Sequence, residues 1–355
     1  MAAPFRPAGT WTALVTPFDA RGVLDVARFK QLVEFQVAAD VAGVVACGTT
    51  GESPTLTWEE HEALVRSAVA KANGQVGVIA GTGSNNTAEA IRGTRSARDE
   101  GADAALVVDC YYNGPSSSEL RSEYYQRVLD AVPELPLVPY IIPGRTGCAL
   151  SAADLADLHL RNPDRVPAVK QATGDLARMR QDRTLAGERL AILSGDDELT
   201  LTMMRDPEVR ACGVICVMSN IAPRAVIALV DAAARGDEAR SNELAGKLAP
   251  LFRLVTCRAL NRRCLPNGRE VEVEDRYRNP LSAKTIMAGL GMIDGTCRPP
   301  LGRMSTPAVK QCRDALRQVW ENAPELLQPV AEAFDVDITK RLANDSIWSA
   351  LTAAG

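Results

Sequence analysis

Lys170 follows the apolar run Val166-Pro167-Ala168-Val169, where an ammonium group is poorly solvated. Desolvation favours the neutral amine, the form that attacks a carbonyl carbon. The plainer reading is a lysine whose methylenes cover a rim while its charge reaches water. Tyr140 lies in the run 137–142, LVPYII, so its ring faces a core and its hydroxyl either moves protons or simply satisfies a hydrogen bond. Gly48-Thr49-Thr50-Gly51-Glu52 offers two hydroxyls and closely approachable amides. Such a segment suits a carboxylate, and equally an ordinary turn. Arg145 carries a planar fork that grips a carboxylate through two bonds, or pairs with a surface acid. Tyr111 and Tyr112 follow one more apolar run, and Ser194-Gly195-Asp196-Asp197 another. Taken together, these types point to addition of an amine to a carbonyl beside groups that bind carboxylates and transfer protons.

Other chemistries find less support. The chain has two histidines, His61 and His159, and neither stands at metal-ligand spacing from cysteines or carboxylates. Nine cysteines, an odd number, include several within apolar runs such as ACGVICV. That pattern fits free buried thiols of a reducing cytosol better than a disulfide framework. Cys47 is a weaker candidate for a nucleophile than for a core thiol.

These residues must be held by something regular. Eight short apolar runs precede residue 220: TWTALVT, VAGVVACG, VGVIAG, AALVVD, LVPYII, VPAVKQ, LAILSG and CGVICV. Between most of them the apolar spacing is helical, as with Val26, Phe29, Leu32, Val33 and Val37. Thr57 with Glu60, and Ser151 with Asp154, have capping-box spacing. Pro223 and Gly236 mark the start and end of a further helix. Strands apolar on both faces, alternating with helices, mean parallel pairing. Eight such units predict a closed (β/α)8 TIM barrel, with an open doubly wound sheet as the alternative. That alternative lacks a G-x-G-x-x-G after its first strand, since GTGSNN after the third run carries only Gly81 and Gly83. In a parallel barrel the site lies at the C-terminal ends of the strands, where residues 48–52, Tyr111, Tyr112, Tyr140, Arg145, Lys170 and residues 194–197 fall. After Gly236 the pattern predicts helices at roughly 237–258, 282–291, 306–321, 324–336 and 344–353. The polar stretch between the first two, at about 258–280, reads as an exposed loop or small hairpin.

Bulk properties agree. The chain has 355 residues, enough for one barrel of about 250 residues and an extension. The expected division is therefore a barrel over 1–235 and a C-terminal helical region over 236–355. A net charge of −4 with interspersed signs provides no basic field for nucleic acid. No apolar run is long enough for a membrane span, and MAAPFRPAGT does not read as a secretory signal, so the expected location is cytoplasmic.

The order and spacing of GTTGE at 48–52, AGTG at 80–83, YYNGP at 111–115, PGRTG at 143–147, VKQATGDL at 169–176 and LSGDD at 193–197 resemble the dihydrodipicolinate synthase / N-acetylneuraminate lyase family. Coverage is good over roughly 8–235 and looser beyond, through NPLSAK and CRPPLGRM. The tyrosine pair and RTG look most like the dihydrodipicolinate synthase branch. That branch condenses pyruvate with aspartate semialdehyde in lysine biosynthesis.

The resemblance implies a covalent imine between pyruvate and Lys170, with no external cofactor and no metal. It implies that Tyr140 is the general acid/base and that Thr49 relays its proton to Tyr112 from a neighbouring subunit. Thr50 would bind the pyruvate carboxylate and Arg145 that of the aldehyde, while the main chain around Ile215 would line the imine. A homo-oligomer, dimer or tetramer, is implied. So is a lysine-binding cleft between subunits made of Trp58, His61, Asn85, Glu89 and Tyr111, which equally reads as helix packing and solvated surface. Ile141 stands where the family usually has asparagine and Cys110 where it has proline. The first departure leaves room for another pyruvate-dependent aldolase, such as a sialic acid lyase or a hydratase-aldolase. A barrel that has lost catalysis and serves as a binding protein is the reading from a different class.

Overall fold

The structure, a computed structural model, describes residues 5–353. Eight parallel strands close into a barrel in chain order. They are β1 (Gly9–Ala13), β2 (Gly43–Ala46), β3 (Gly77–Gly81), β4 (Ala104–Val108), β5 (Leu137–Ile141), β6 (Ala168–Gln171), β7 (Ala191–Ser194) and β8 (Gly213–Cys216). The last pairs with the first, Trp11 opposite Ile215. Each predicted run holds its strand, except that β1 begins one residue earlier, at Gly9.

The strand pleat separates two layers of side chains. Trp11, Ile79, Leu106, Val138, Tyr140, Leu193 and Ile215 fill the barrel interior. Alternate residues such as Val107, Ile141 and Val169 face the surrounding helices instead. Trp11 plugs the interior because Gly43 and Gly77 give it room. A Cβ on Gly43 would stand 2.1 Å from its ring, and one on Gly77 2.5 Å. Residues that tight cannot be accommodated by small shifts.

Local signals hold at most helix ends. Thr57 and Glu60 form a reciprocal capping box at helix Trp58–Ala72. Ser151 caps helix Ala152–Arg161, but only half of the expected box forms. The Ser151 amide donates to Ser117 Oγ at 2.7 Å, and Asp154 is turned to Ser117 and Arg121. A neighbouring loop has replaced the local partner. Pro223 opens helix Pro223–Ala234, and Gly236 follows it at φ +72°.

The C-terminal region departs further from expectation. Helix Glu238–Phe252 stops before the predicted 258, because the chain turns at Arg253–Val255 into strand β9 (Thr256–Cys264). Strand β10 (Glu270–Arg278) pairs with it antiparallel, so of the two readings of the polar stretch the hairpin is the one that forms, with nine-residue strands. Helices Leu281–Leu290, Thr306–Asn322, Gln328–Phe334 and Asp345–Ser349 match the remaining expectations, and Ile338–Ala343 is an additional short helix. These helices share one apolar cluster with barrel residues such as Leu32, Val214 and Val226. A buried ion pair adds to that junction. Lys284 Nζ lies 2.6 Å from Glu52 Oε1 and donates to the Thr16 carbonyl at 2.8 Å. Arg298 grips Glu60 through two bonds of 2.6 Å. Glu52 therefore serves the junction with the C-terminal region, although its motif lies at the catalytic end of the barrel.

Candidate active site

Lys170 stands directly opposite Tyr140 in the register of β5 and β6. Side chains at paired positions share a face, so both point into the barrel. Lys170 is 5% exposed, with Nζ 4.2 Å from the centroid of the Tyr140 ring. Gly195 makes the space: a Cβ there would approach Lys170 Cε to 3.0 Å. Above the pair opens a cavity of about 290 Å³. Thr49, Thr50, Arg145, Gly195 and Asn279 are on its wall along with the pair. Four stretches far apart in sequence thus meet around one amine.

Asn279 organises this wall, and no single-residue reading of the sequence singles it out. Its Nδ2 donates to Thr50 Oγ1 at 2.8 Å, which leaves the threonine proton free to donate to an anion. Its carbonyl accepts from the Arg145 guanidinium at 2.8 Å. Its own Oδ1 is buried and unpartnered. An orphaned buried acceptor costs about 1–3 kcal/mol. The signal for it was the Asn-Pro of NPLSAK, which lies far from Arg145 in sequence. Arg145 keeps an exposed edge, yet burial pulls its guanidinium below the usual range, with Arg278 and Arg276 adding repulsion.

The other expected residues are distributed differently. Ile215 is fully buried in the barrel interior, and from that segment it is Val217 that reaches the cavity wall. Ile141 belongs to the layer between strands and helices, so its side chain faces away from the cavity. The departure at that position is therefore not on the cavity wall. Tyr112 is 89% exposed at φ +80° and does not reach its own chain's cavity. A strained tyrosine held out in solvent is a costly local arrangement.

The expected cleft splits into two groups. The rings of Trp58 and His61 are 4.9 Å apart, and Trp58 packs on Gly93, where a Cβ would stand 2.4 Å from it. His61 is buried with Nε2 3.2 Å from the Ser53 carbonyl, and burial pulls its imidazole below the ordinary value. Glu89 accepts from Ser84 Oγ at 2.7 Å. Tyr111 is half-buried beside Glu89 and Asn85, its hydroxyl pushed up by burial first and by Glu89 next. Tyr111 also lines a second cavity that reaches Thr49 and Tyr140. Cys47 is fully buried, and desolvation pushes its thiol far up, which suits a core residue rather than a nucleophile.

Comparison with known proteins agrees with this geometry. A profile described as the Dihydrodipicolinate synthetase family matches residues 6–319. The 4-hydroxy-tetrahydrodipicolinate synthase of Methanoculleus marisnigri is 37% identical over 311 residues, 87% of this chain and 98% of that protein. The protein of the same name from Syntrophobacter fumaroxidans is 42% identical over 243 residues, covering 68% of this chain and 81% of the other. The crystal structure of dihydrodipicolinate synthase from Aquifex aeolicus superposes with a TM-score of 0.77 at 36% identity, covering 90% of this chain and 99% of that one. The 4-hydroxy-tetrahydrodipicolinate synthase of Methylacidiphilum fumariolicum SolV gives 0.79 at 33% identity, covering 93% and 100%. With so much of both sequence and architecture held in common, the chain belongs to the dihydrodipicolinate synthetase family.

Proposed function

We propose that this enzyme condenses pyruvate with L-aspartate 4-semialdehyde to 4-hydroxy-tetrahydrodipicolinate, a step of lysine biosynthesis. The observation that carries the reading is the buried Lys170 amine packed on the Tyr140 ring in a cavity that also holds Thr50 and Arg145. The neutral amine adds to the pyruvate carbonyl and water leaves, giving an imine with no external cofactor. Tyr140 moves the protons of these steps, with Thr49 as its relay. Loss of a methyl proton converts the imine to an enamine, whose carbon attacks the aldehyde. The amino group of the aldehyde partner then displaces Lys170 and closes the ring, so one water is released per product overall. Thr50 holds the pyruvate carboxylate, Arg145 that of the aldehyde, and the main chain near Ile215 lines the imine.

The same reading gives residues 1–235 the catalytic role and residues 236–355 that of a flank completing the mouth. The exposed, strained Tyr112 supports a homo-oligomer, dimer or tetramer, in which it enters a neighbour's site. No described helix is long and apolar enough to cross a membrane. A cytoplasmic location is part of this proposal. Asn85, Glu89 and Tyr111, with Trp58 and His61 behind them, form the proposed lysine cleft.

The test is borohydride reduction with pyruvate, read by intact mass, followed by an aldehyde panel that includes aspartate semialdehyde and N-acetylmannosamine. Wild type gains the mass of one reduced pyruvate adduct, and Lys170→Ala neither gains it nor turns over. Labelling retained in the alanine variant would place the imine on another lysine.

A further inference from the structure

The β9–β10 hairpin brings two arginines to the cavity. Arg276 and Arg278 lie on its wall with Arg145, and Arg253 joins them from the turn before β9. Arg278 donates to the Gly144 carbonyl at 2.8 Å, which fixes it beside the segment that carries Arg145. Among the described residues none of these four guanidinium groups is in an ion pair with a carboxylate. The three arginines on strand β9 behave otherwise: Arg258 pairs with Glu274, Arg262 with Glu272 and Arg263 with Asp275.

Sheet pairing makes this arrangement costly. Arg276 stands opposite Arg258 in the ladder, and like charges directly opposite destabilise a hairpin. Repulsion from Arg278 is the leading influence pulling the Arg276 guanidinium down, with Arg258 also contributing. Arg145 feels both hairpin arginines as well. The cavity does contain acids: Asp196, Asp197 and Glu198. Asp197 is occupied by the amides of Val217 and Met218, and Asp196 by those of Glu198 and Leu199. Only Glu198, at the exposed edge, has no such commitment. Local rules broken without a structural gain mark functional positions.

We propose that Arg276 and Arg278 are specificity-determining residues: with Arg145 they form an anion-binding edge that selects an aldehyde bearing a carboxylate over a neutral one. The inference rests on the imine reading above and adds to it a site element supplied by the hairpin rather than the barrel. Lys170 and Thr50 serve the keto acid deeper in the cavity, so removing the hairpin charges acts on the second substrate alone.

The experiment compares wild type with Arg276→Gln/Arg278→Gln. In steady state the double variant should show a Michaelis constant for aspartate semialdehyde raised about tenfold or more, as expected for lost bonds to a charged group. The constant for pyruvate should stay within about twofold, and the salt dependence of kcat/KM for the aldehyde should flatten. Arg276→Lys/Arg278→Lys keeps the charges and should restore most of that salt dependence. The borohydride adduct with pyruvate reports whether each variant is folded. A second measurement needs no turnover: calorimetric titration of succinate into the reduced pyruvate adduct, expected to be about tenfold weaker in the glutamine variant. Equal succinate affinity, or equal rises in both Michaelis constants, overturns the proposal. Failure of wild type to form an adduct counts against the imine reading alone, and the succinate titration is then made on the unreacted enzyme.

Discussion

Tyr140 and Lys170 occupy paired positions on neighbouring strands, an arrangement that follows from register rather than from side-chain flexibility. A hydroxyl fixed on the same face as the amine is placed to deliver protons without rearrangement. Tyr140→Phe should therefore still form the pyruvate adduct while kcat falls by roughly 10²–10⁴-fold, the usual contribution of a positioned acid or base. A phenylalanine enzyme with near-normal kcat would leave the tyrosine as barrel packing. Lys170, Tyr140, Thr50 and Arg145 were legible in sequence because each ends or follows an apolar run, and strand ends locate a barrel's site. Asn279 was not, since its importance lies in contacts to Thr50 and Arg145, which are distant in sequence. Ile141 lies on the opposite face of β5 from Tyr140. Its side-chain direction follows from the period-two alternation that already placed Tyr140 inside.

Elements show the same division. Strands and helix caps follow from local pattern, whereas the hairpin presents its apolar residues at only alternate positions of a charged stretch and reads equally as exposed loop or small hairpin. Asp109, just past β4, ties three elements together: it accepts from Tyr125 Oη at 2.7 Å and from the Leu150 amide. Burial pushes its carboxyl up to about 7. The native state thus holds this proton where the unfolded chain, titrating near 3.8, has lost it. Its contribution is complete below about 3.8 and disappears as the pH rises through about 7. Urea unfolding of Asp109→Asn between pH 4 and 8 should lack that part of the decline seen in wild type; parallel curves for the two would refute it. The proposed lysine cleft is also an affair of elements, joining the β3 and β4 loops. Millimolar L-lysine should slow wild type several-fold, in line with typical couplings of 1–3 kcal/mol, and should slow Glu89→Ala much less. Equal inhibition of both would remove Glu89 from any such site.

At the scale of the whole molecule, the barrel and the C-terminal helices are joined by a lysine and a glutamate with almost no water contact. Removing one partner leaves the other charge stranded, at a cost of about 3–5 kcal/mol. Glu52→Gln and Lys284→Met should each lower stability by that order in urea unfolding, and the double variant should lose far less than their sum. Strict additivity would mean that the pair is not coupled. The plug made by Trp11 in the space left by Gly43 and Gly77 has a different consequence. It closes the reaction chamber from below, so both substrates come in from the side of the strands' C-terminal ends. Whatever occupies the bottom must arrive first and leave last. In the proposed reaction the keto acid joins the amine deep in the chamber, and the aldehyde follows it to the proposed arginine edge. In that reaction the order of addition follows from the closed barrel floor, at residues that never touch either substrate.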